Sequence, residues 1–139
     1  MYTEQVMDHV MNPRNIGVIE EADSIIKVGD PKCGDSLLLF LKFCNDIISD
    51  AKFMIKGCPA AIATASMTTE MVKGMTLAKA LELTDEHVAD ALGGLPEEKI
   101  HCSSLAVGAV HAGIKDYTSP SDGNDQDLGK GAGVEPGLK

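Results

Sequence analysis

Leu37 to Gly74 reads LLLFLKFCNDIISDAKFMIKGCPAAIATASMTTEMVKG, and within it the chain changes its period. Leu37-Leu38-Leu39-Phe40-Leu41 is an apolar run that continues to Cys44 and predicts a buried strand. Asn45-Asp46 is a turn signal, and Ile47 to Lys56 alternates through Ala51, Phe53 and Ile55. An antiparallel hairpin is the expected result. After Gly57-Cys58-Pro59 the spacing becomes helical, with Ile62, Ser66, Thr69 and Val72 recurring until Gly74 supplies a stop. Met67, Met71 and Met75 share that spacing, which predicts core filling rather than a soft-metal site.

Working outward, Thr3 can cap a short helix to about Met11, with Val6, Met7 and Val10 on one side, before Asn12-Pro13 breaks it. Ile25 to Val28 reads as another strand. Beyond Gly74, Thr76 can cap a helix through Leu83, and Thr84 another through Leu92, ended by Gly93-Gly94. Ile100 to about Tyr117 predicts a final helix rich in Ala and Gly. Strands come early and helices late, so the fold class is α+β, a small antiparallel sheet of about three strands packed against four to five helices. Residues 1–118 form the expected domain. Residues 119–139 are Gly, Asp, Pro and Ser with almost no apolar anchor, and predict a disordered tail.

The chain has 139 residues, 44% of them hydrophobic and 24% charged, which suits one globular domain. Its net charge of −9 argues against nucleic acid, whose phosphates call for a surplus of Lys and Arg. No apolar run approaches the roughly 20 residues of a membrane span. The N-terminus lacks the basic and apolar regions of a secretory signal, so the cytoplasm is the default expectation. There the cysteines should be reduced ligands or nucleophiles rather than disulfides.

Three of the four cysteines have loop-like surroundings: Cys33 in Pro31-Lys32-Cys33-Gly34-Asp35, Cys58 in Gly57-Cys58-Pro59, Cys102 in His101-Cys102-Ser103. Cys58 and Cys102 also stand near predicted helix starts, where the backbone dipole stabilises a thiolate. With Asp35 and His101 adjacent, such thiolates would make a mixed sulfur, nitrogen and oxygen metal site. No CxxC pair is present, so spacing alone leaves a shared site and unrelated buried thiols equally open. Cys44 ends an apolar strand and is expected to be a small buried hydrophobe. His9 reads as a helix-surface or structural histidine, and His87 and His111 receive no function.

The segments Tyr2 to His9, Asn12-Pro13-Arg14-Asn15-Ile16-Gly17, Cys33-Gly34-Asp35, Ala51-Lys52-Phe53 with Gly57-Cys58, Ala61-Ile62-Ala63, Thr69 to Gly74 and Lys99-Ile100-His101-Cys102-Ser103 occur in one order over most of the chain. In this the chain resembles the U-type iron–sulfur cluster scaffolds, the IscU proteins and the N-terminal domain of NifU. The resemblance implies that Cys33, Cys58 and Cys102 hold a transient [2Fe-2S] cluster, with Asp35 tied to its lability and His101 beside it. It implies that Cys102 accepts persulfide sulfur, that Lys99 lies close by, and that iron or zinc can occupy Asp35, His101 and the cysteines. The implied partners are a cysteine desulfurase, an iron donor and apo iron–sulfur recipients; a carrier is implied, not an enzyme. The compact interval from Cys58 to Cys102 lacks the insertion of the zinc-dependent sulfurtransferase branch. A zinc-dependent persulfide sulfurtransferase and a structural zinc module are the alternatives.

Two departures stand out. Pro59-Ala60 replaces the family's common Gly-Ser after the second cysteine, which stiffens the Cys58 loop while suiting the first helical position. Glu97-Glu98 replaces Pro-Val in the segment read by a dedicated Hsp70-type chaperone, and two carboxylates should damage docking into an apolar groove. That chaperone is therefore a doubtful partner.

Overall fold

A computed structural model describes residues 2–30, 35–96, 99, 101–118 and 134–136. The side chains of Asp30, His101, Cys102, Ser103 and 134–136 lie outside that description. In chain order the elements are α1 (Glu4–Met11), β1 (Ser24–Asp30), β2 (Asp35–Cys44), β3 (Ile47–Lys56), α2 (Pro59–Val72), α3 (Leu77–Leu81), α4 (Asp85–Ala91), α5 (His101–Thr118) and β4 (Val134–Pro136). The fold is α+β, and the three long strands form an antiparallel meander with β4 on its outer edge, in the order β3-β2-β1-β4.

The hairpin forms for the expected reason. Asn45 and Asp46 both take positive φ, 55° and 65°, as a two-residue turn between right-twisted strands demands. Leu37 faces Ile55, Leu39 faces Phe53 and Leu41 faces Ala51, which puts the apolar set on the inner face. A register shift between Lys42 and Phe43 turns the end of β2, leaving Phe43 buried and Cys44 exposed. The expectation that Cys44 is a buried hydrophobe is thus corrected: the shift aims it outward at the last pair before the turn.

The starts of α1, α3 and α4 each use a side chain to satisfy an orphan backbone donor. Thr3 Oγ1 accepts from the Val6 amide and donates to the Leu92 carbonyl. Thr76 accepts from Lys79 at 3.1 Å. Thr84 and His87 form a reciprocal capping box, which gives His87 a structural task. In α1, Val6 and His9 are buried, while Met7 is 43% exposed.

Helix α2 is the centre of the molecule. Ala60, Ala61, Ala63, Thr64, Ala65, Ser66, Thr68, Thr69 and Val72 are all buried, so it has scarcely any solvent face. It packs against α1, α4, α5 and β3. Met67, Met71 and Met75 pack against the core as expected. Val134–Pro136 falls within the stretch expected to be disordered; these three residues lie along β1, and residues 119–133 and 137–139 are outside the described residues. An unpaired strand edge offers amides and carbonyls to any extended segment within reach, and Pro136, lacking a donor, suits an edge.

Candidate metal centre at one end of the sheet

Several elements bring chemistry-bearing residues to the same end of the sheet. Asp35 opens β2 and pairs with Asp30, the last residue of β1. Lys56, closing β3, pairs with Ser36, so the link Gly57-Cys58 leaves the sheet beside Asp35. Cys58 is the N-cap residue of α2, and Pro59 takes the first helical turn, where a missing donor costs nothing.

The course of α5 is set by its other end. Gly113 packs on Leu41, Ile26 and Ser24; the Ser24 hydroxyl donates to the Gly113 carbonyl at 2.8 Å. Further along, the Tyr117 ring lies 4.3 Å from that of Phe43. Helix α5 therefore runs in the same sense as β2. From Gly113 back to His101 is about 18 Å of helix, and from Leu41 back to Asp35 about 20 Å of strand. The backbone of His101 and Cys102 thus starts α5 level with Asp35. Lys99 sits just before that start, its amide bonded to the Pro96 carbonyl at 2.7 Å.

Among the described side chains the centre shows Asp35 and Cys58. Asp35 is only 5% exposed, and the Cys58 Sγ lies 3.9 Å from its Oδ2, a long contact for a thiol donating to a carboxylate. Gly57 makes the approach possible. A Cβ there would stand 2.9 Å from Asp35 Cγ and Oδ1 and 3.1 Å from Ala61 Cβ. Any larger residue would push the carboxylate aside. Glycine at position 57 thus permits a close approach to the Asp35 carboxylate, a role that no local pattern in the sequence signals.

Cys33 lies outside the described residues, joined to Asp35 through Gly34. The side chains of His101 and Cys102, and the whole of Glu97 and Glu98, lie outside them too. The described side chains on their own contain no group of three His, Cys, Asp or Glu able to hold an ion. A buried carboxylate beside a thiol on a helix N-terminus is nonetheless the start of a mixed-donor set.

The stretch Asn12 to Gly17 serves the fold instead. Asn15, at a positive φ of 65°, donates to Thr69 Oγ1 at 3.1 Å and to Glu70 Oε2 at 2.9 Å, and accepts from Lys73 at 3.0 Å. Its carbonyl accepts from Phe53, and the Gly17 amide donates back to Phe53, so the stretch binds the outer edge of β3. His9 is buried and meets the Ser66 hydroxyl at 2.7 Å; the same oxygen accepts the Arg14 amide at 2.9 Å. Burial, and then the Arg14 charge, lower the pKa of His9, against the pull of Asp8 and Glu70. A hydroxyl accepting from Arg14 and donating to a neutral imidazole satisfies both contacts. His9 is structural.

Residues 1–122 match the family described as "NifU-like N terminal domain". The chain belongs to that family. It is 52% identical over 117 residues to "Iron-sulfur cluster assembly scaffold protein IscU 1" of Archaeoglobus fulgidus, covering 84% of this chain and 76% of that protein. To "Iron-sulfur cluster assembly scaffold protein IscU" of Haemophilus influenzae it is 46% identical over 120 residues, covering 84% and 94%. The crystal structure of a nitrogen-fixing NifU-like N-terminal protein from Brucella abortus superposes with a TM-score of 0.68 at 20% identity, over 86% of this chain and 95% of that one, which bears on the fold alone. No helix among the described residues is long and apolar enough to cross a membrane.

Proposed function

We propose that this NifU-like domain is a scaffold on which an iron–sulfur cluster is assembled and then handed on, with residues 1–118 as the scaffold domain. The observation that carries the reading is the buried Asp35 carboxylate meeting the Cys58 thiol at the head of α2, at the sheet end where α5 begins with His101-Cys102. The names of the IscU relatives support it. In this reading the cluster is cargo, a labile [2Fe-2S] unit on Cys33, Cys58 and Cys102, with Asp35 and His101 as the exchangeable ligands. Zinc can take the same donors. Three thiolates with a harder oxygen or nitrogen leave one corner easy to displace, which suits assembly followed by surrender.

Sulfur arrives as the terminal sulfur of a cysteine desulfurase persulfide. The Cys102 thiolate attacks it, the sulfur–sulfur bond on the desulfurase breaks, and the desulfurase thiolate leaves. A separate electron donor then reduces that sulfur to sulfide, and an iron donor supplies the metal. The protein's part is to position ligands and exclude competing ones, so it acts as a carrier rather than an enzyme. Apo iron–sulfur proteins are the recipients, and the cytoplasm is the proposed compartment.

Anaerobic reconstitution with ferrous iron, cysteine and a cysteine desulfurase, followed by transfer to an apo-ferredoxin, tests this reading. A visible charge-transfer spectrum that moves to the ferredoxin is expected. Zinc that stays bound while the desulfurase turns over faster and no iron enters would mean a sulfur relay instead. Cys58→Ser should lose the stable cluster while keeping the fold, because serine is a better N-cap than cysteine. Normal cluster content in that variant would exclude Cys58 as a ligand. Asp35→Ala should slow release to the ferredoxin, and unchanged transfer kinetics would remove Asp35 from the exchange step.

A further inference from the structure

The sheet face turned away from α2 and α5 carries a charge pattern opposite to that of the chain. In register across the strands, Lys27, Leu38 and Met54 form one row; Ser36 and Lys56 flank it on the metal-centre side, and Phe40 and Lys52 on the other. Lys27, Lys52 and Lys56 make no ion pair with any described side chain, in a protein of net charge −9. Lys27 and Lys56 line a groove of about 330 Å³ floored by Leu38 and Met54, the latter 45% exposed, and Lys52 stands one row beyond it. One row beyond Lys52 the pattern ends, for there Lys42 faces Asp50 and lies 4.0 Å from Asp23. The groove is basic at its rim and apolar at its floor.

Strand β4 brings one segment to this rim. Val134 pairs with Val28, Glu135 with Lys27 and Pro136 with Ile26. Glu135 therefore occupies the register position that extends the row of Lys27, Leu38 and Met54. Within residues 119–139, Asp122, Asp125, Asp127 and Glu135 outnumber Lys130 and Lys139. The chain length also fits. Helix α5 delivers Thr118 next to Tyr117, at the Phe43 end of the sheet, whereas Val134 lies toward the Asp30 end. Residues 119–133 can reach about 50 Å when extended, well beyond the roughly 20 Å of strand between the level of Phe43 and that of Val28.

We infer that the C-terminal tail is a self-docked strand, with Val134–Pro136 closing the free edge of β1 and Glu135 answering the lysine rim of the outer-face groove. Backbone pairing holds the segment at the edge, and the opposite charges fix its register. Any protein that uses the β1 edge or this lysine rim must first displace the tail. The inference does not depend on the chemistry of the metal centre.

Residue-resolved hydrogen exchange on the full-length chain tests it. Glu135→Lys sets two like charges opposite each other, and the β1 amides facing β4 should exchange about fivefold to tenfold faster. The amides of Leu39, in the central strand, and of Phe53, bonded to Asn15 on the far edge of β3, should not change, which shows that the fold is intact. The double exchange Lys27→Glu with Glu135→Lys should restore protection. Unchanged β1 exchange in the single variant overturns the proposal, as does a double variant that stays unprotected. Protection that falls on dilution would assign the strand to a second copy and overturn the intramolecular pairing.

Discussion

Helix α2 is held in two different ways along its length. At its middle, Ser66 meets both His9 and Arg14, and Thr69 and Glu70 receive Asn15, so the polar groups there are tied to α1 and to the loop after it. At its head, Cys58 caps no backbone donor through its side chain and meets Asp35 only at 3.9 Å, across a gap kept open by Gly57. The first region is cross-linked by side-chain bonds between elements distant in the chain. The second sets a thiol beside a buried carboxylate at a helix N-terminus, two groups of the kind that bind metal. One helix is thus fastened to the fold at its middle and presents a thiol beside a carboxylate at its head.

The hardest way to break the tied region is Ser66→Ala. It strips the partner from the buried His9 and the Arg14 amide, and each such loss costs roughly 1–3 kcal/mol. Urea unfolding should show a drop of at least the lower figure, whereas cluster transfer per folded molecule should hold. A variant as stable as the parent would mean that the tie is dispensable.

Gly57→Ala probes the head of the helix. The added methyl must move the Asp35 carboxylate or Ala61, an overpacking cost of about 1–3 kcal/mol at most, since the head of the helix can yield. The larger consequence should be functional: cluster uptake and release should change together, as in Asp35→Ala. Parent-like loading and transfer would show that the close approach serves only packing.

The smallest effect concerns pH. In the folded chain His9 binds its proton less readily than its ordinary value of 6.5 implies. The unfolded chain therefore takes up that proton first as pH falls. The His9 contribution is complete above about 6.5 and is lost progressively below it, so the urea midpoint should decline from pH 7.5 to pH 5.5. His9→Gln should flatten that decline relative to the parent. An identical slope in both would place the acid sensitivity elsewhere.

Much of this was legible in the sequence because it is local. Thr3, Thr76 and Thr84 announce helix starts through bonds to their near neighbours, and Asn45-Asp46 announces a turn through the φ values that these residues tolerate. The alternation through Ala51 and Phe53 states which face of β3 is buried. The ordered segments from Tyr2 to Ser103 sufficed to indicate the family. Cys44 escaped because burial at a strand end depends on a one-residue register shift that composition does not encode. His87 was left without a task although Thr84 stands three residues before it, a spacing that forms a capping box.

By itself, then, the sequence determined the order and kind of the elements from α1 to α5, the family, and which residue types could bind metal. Only the tertiary structure decided that His9 belongs to Ser66, that Asn15 fastens a loop to β3 and α2, and that Gly57 leaves room for the Asp35 carboxylate. It likewise brought β4 to the edge of β1 beside a lysine-rimmed groove. Capping and alternation act between neighbours in the chain. Pairings such as His9 with Ser66 join distant residues, and what selects them is the packing of whole elements, which leaves no periodic trace in either segment.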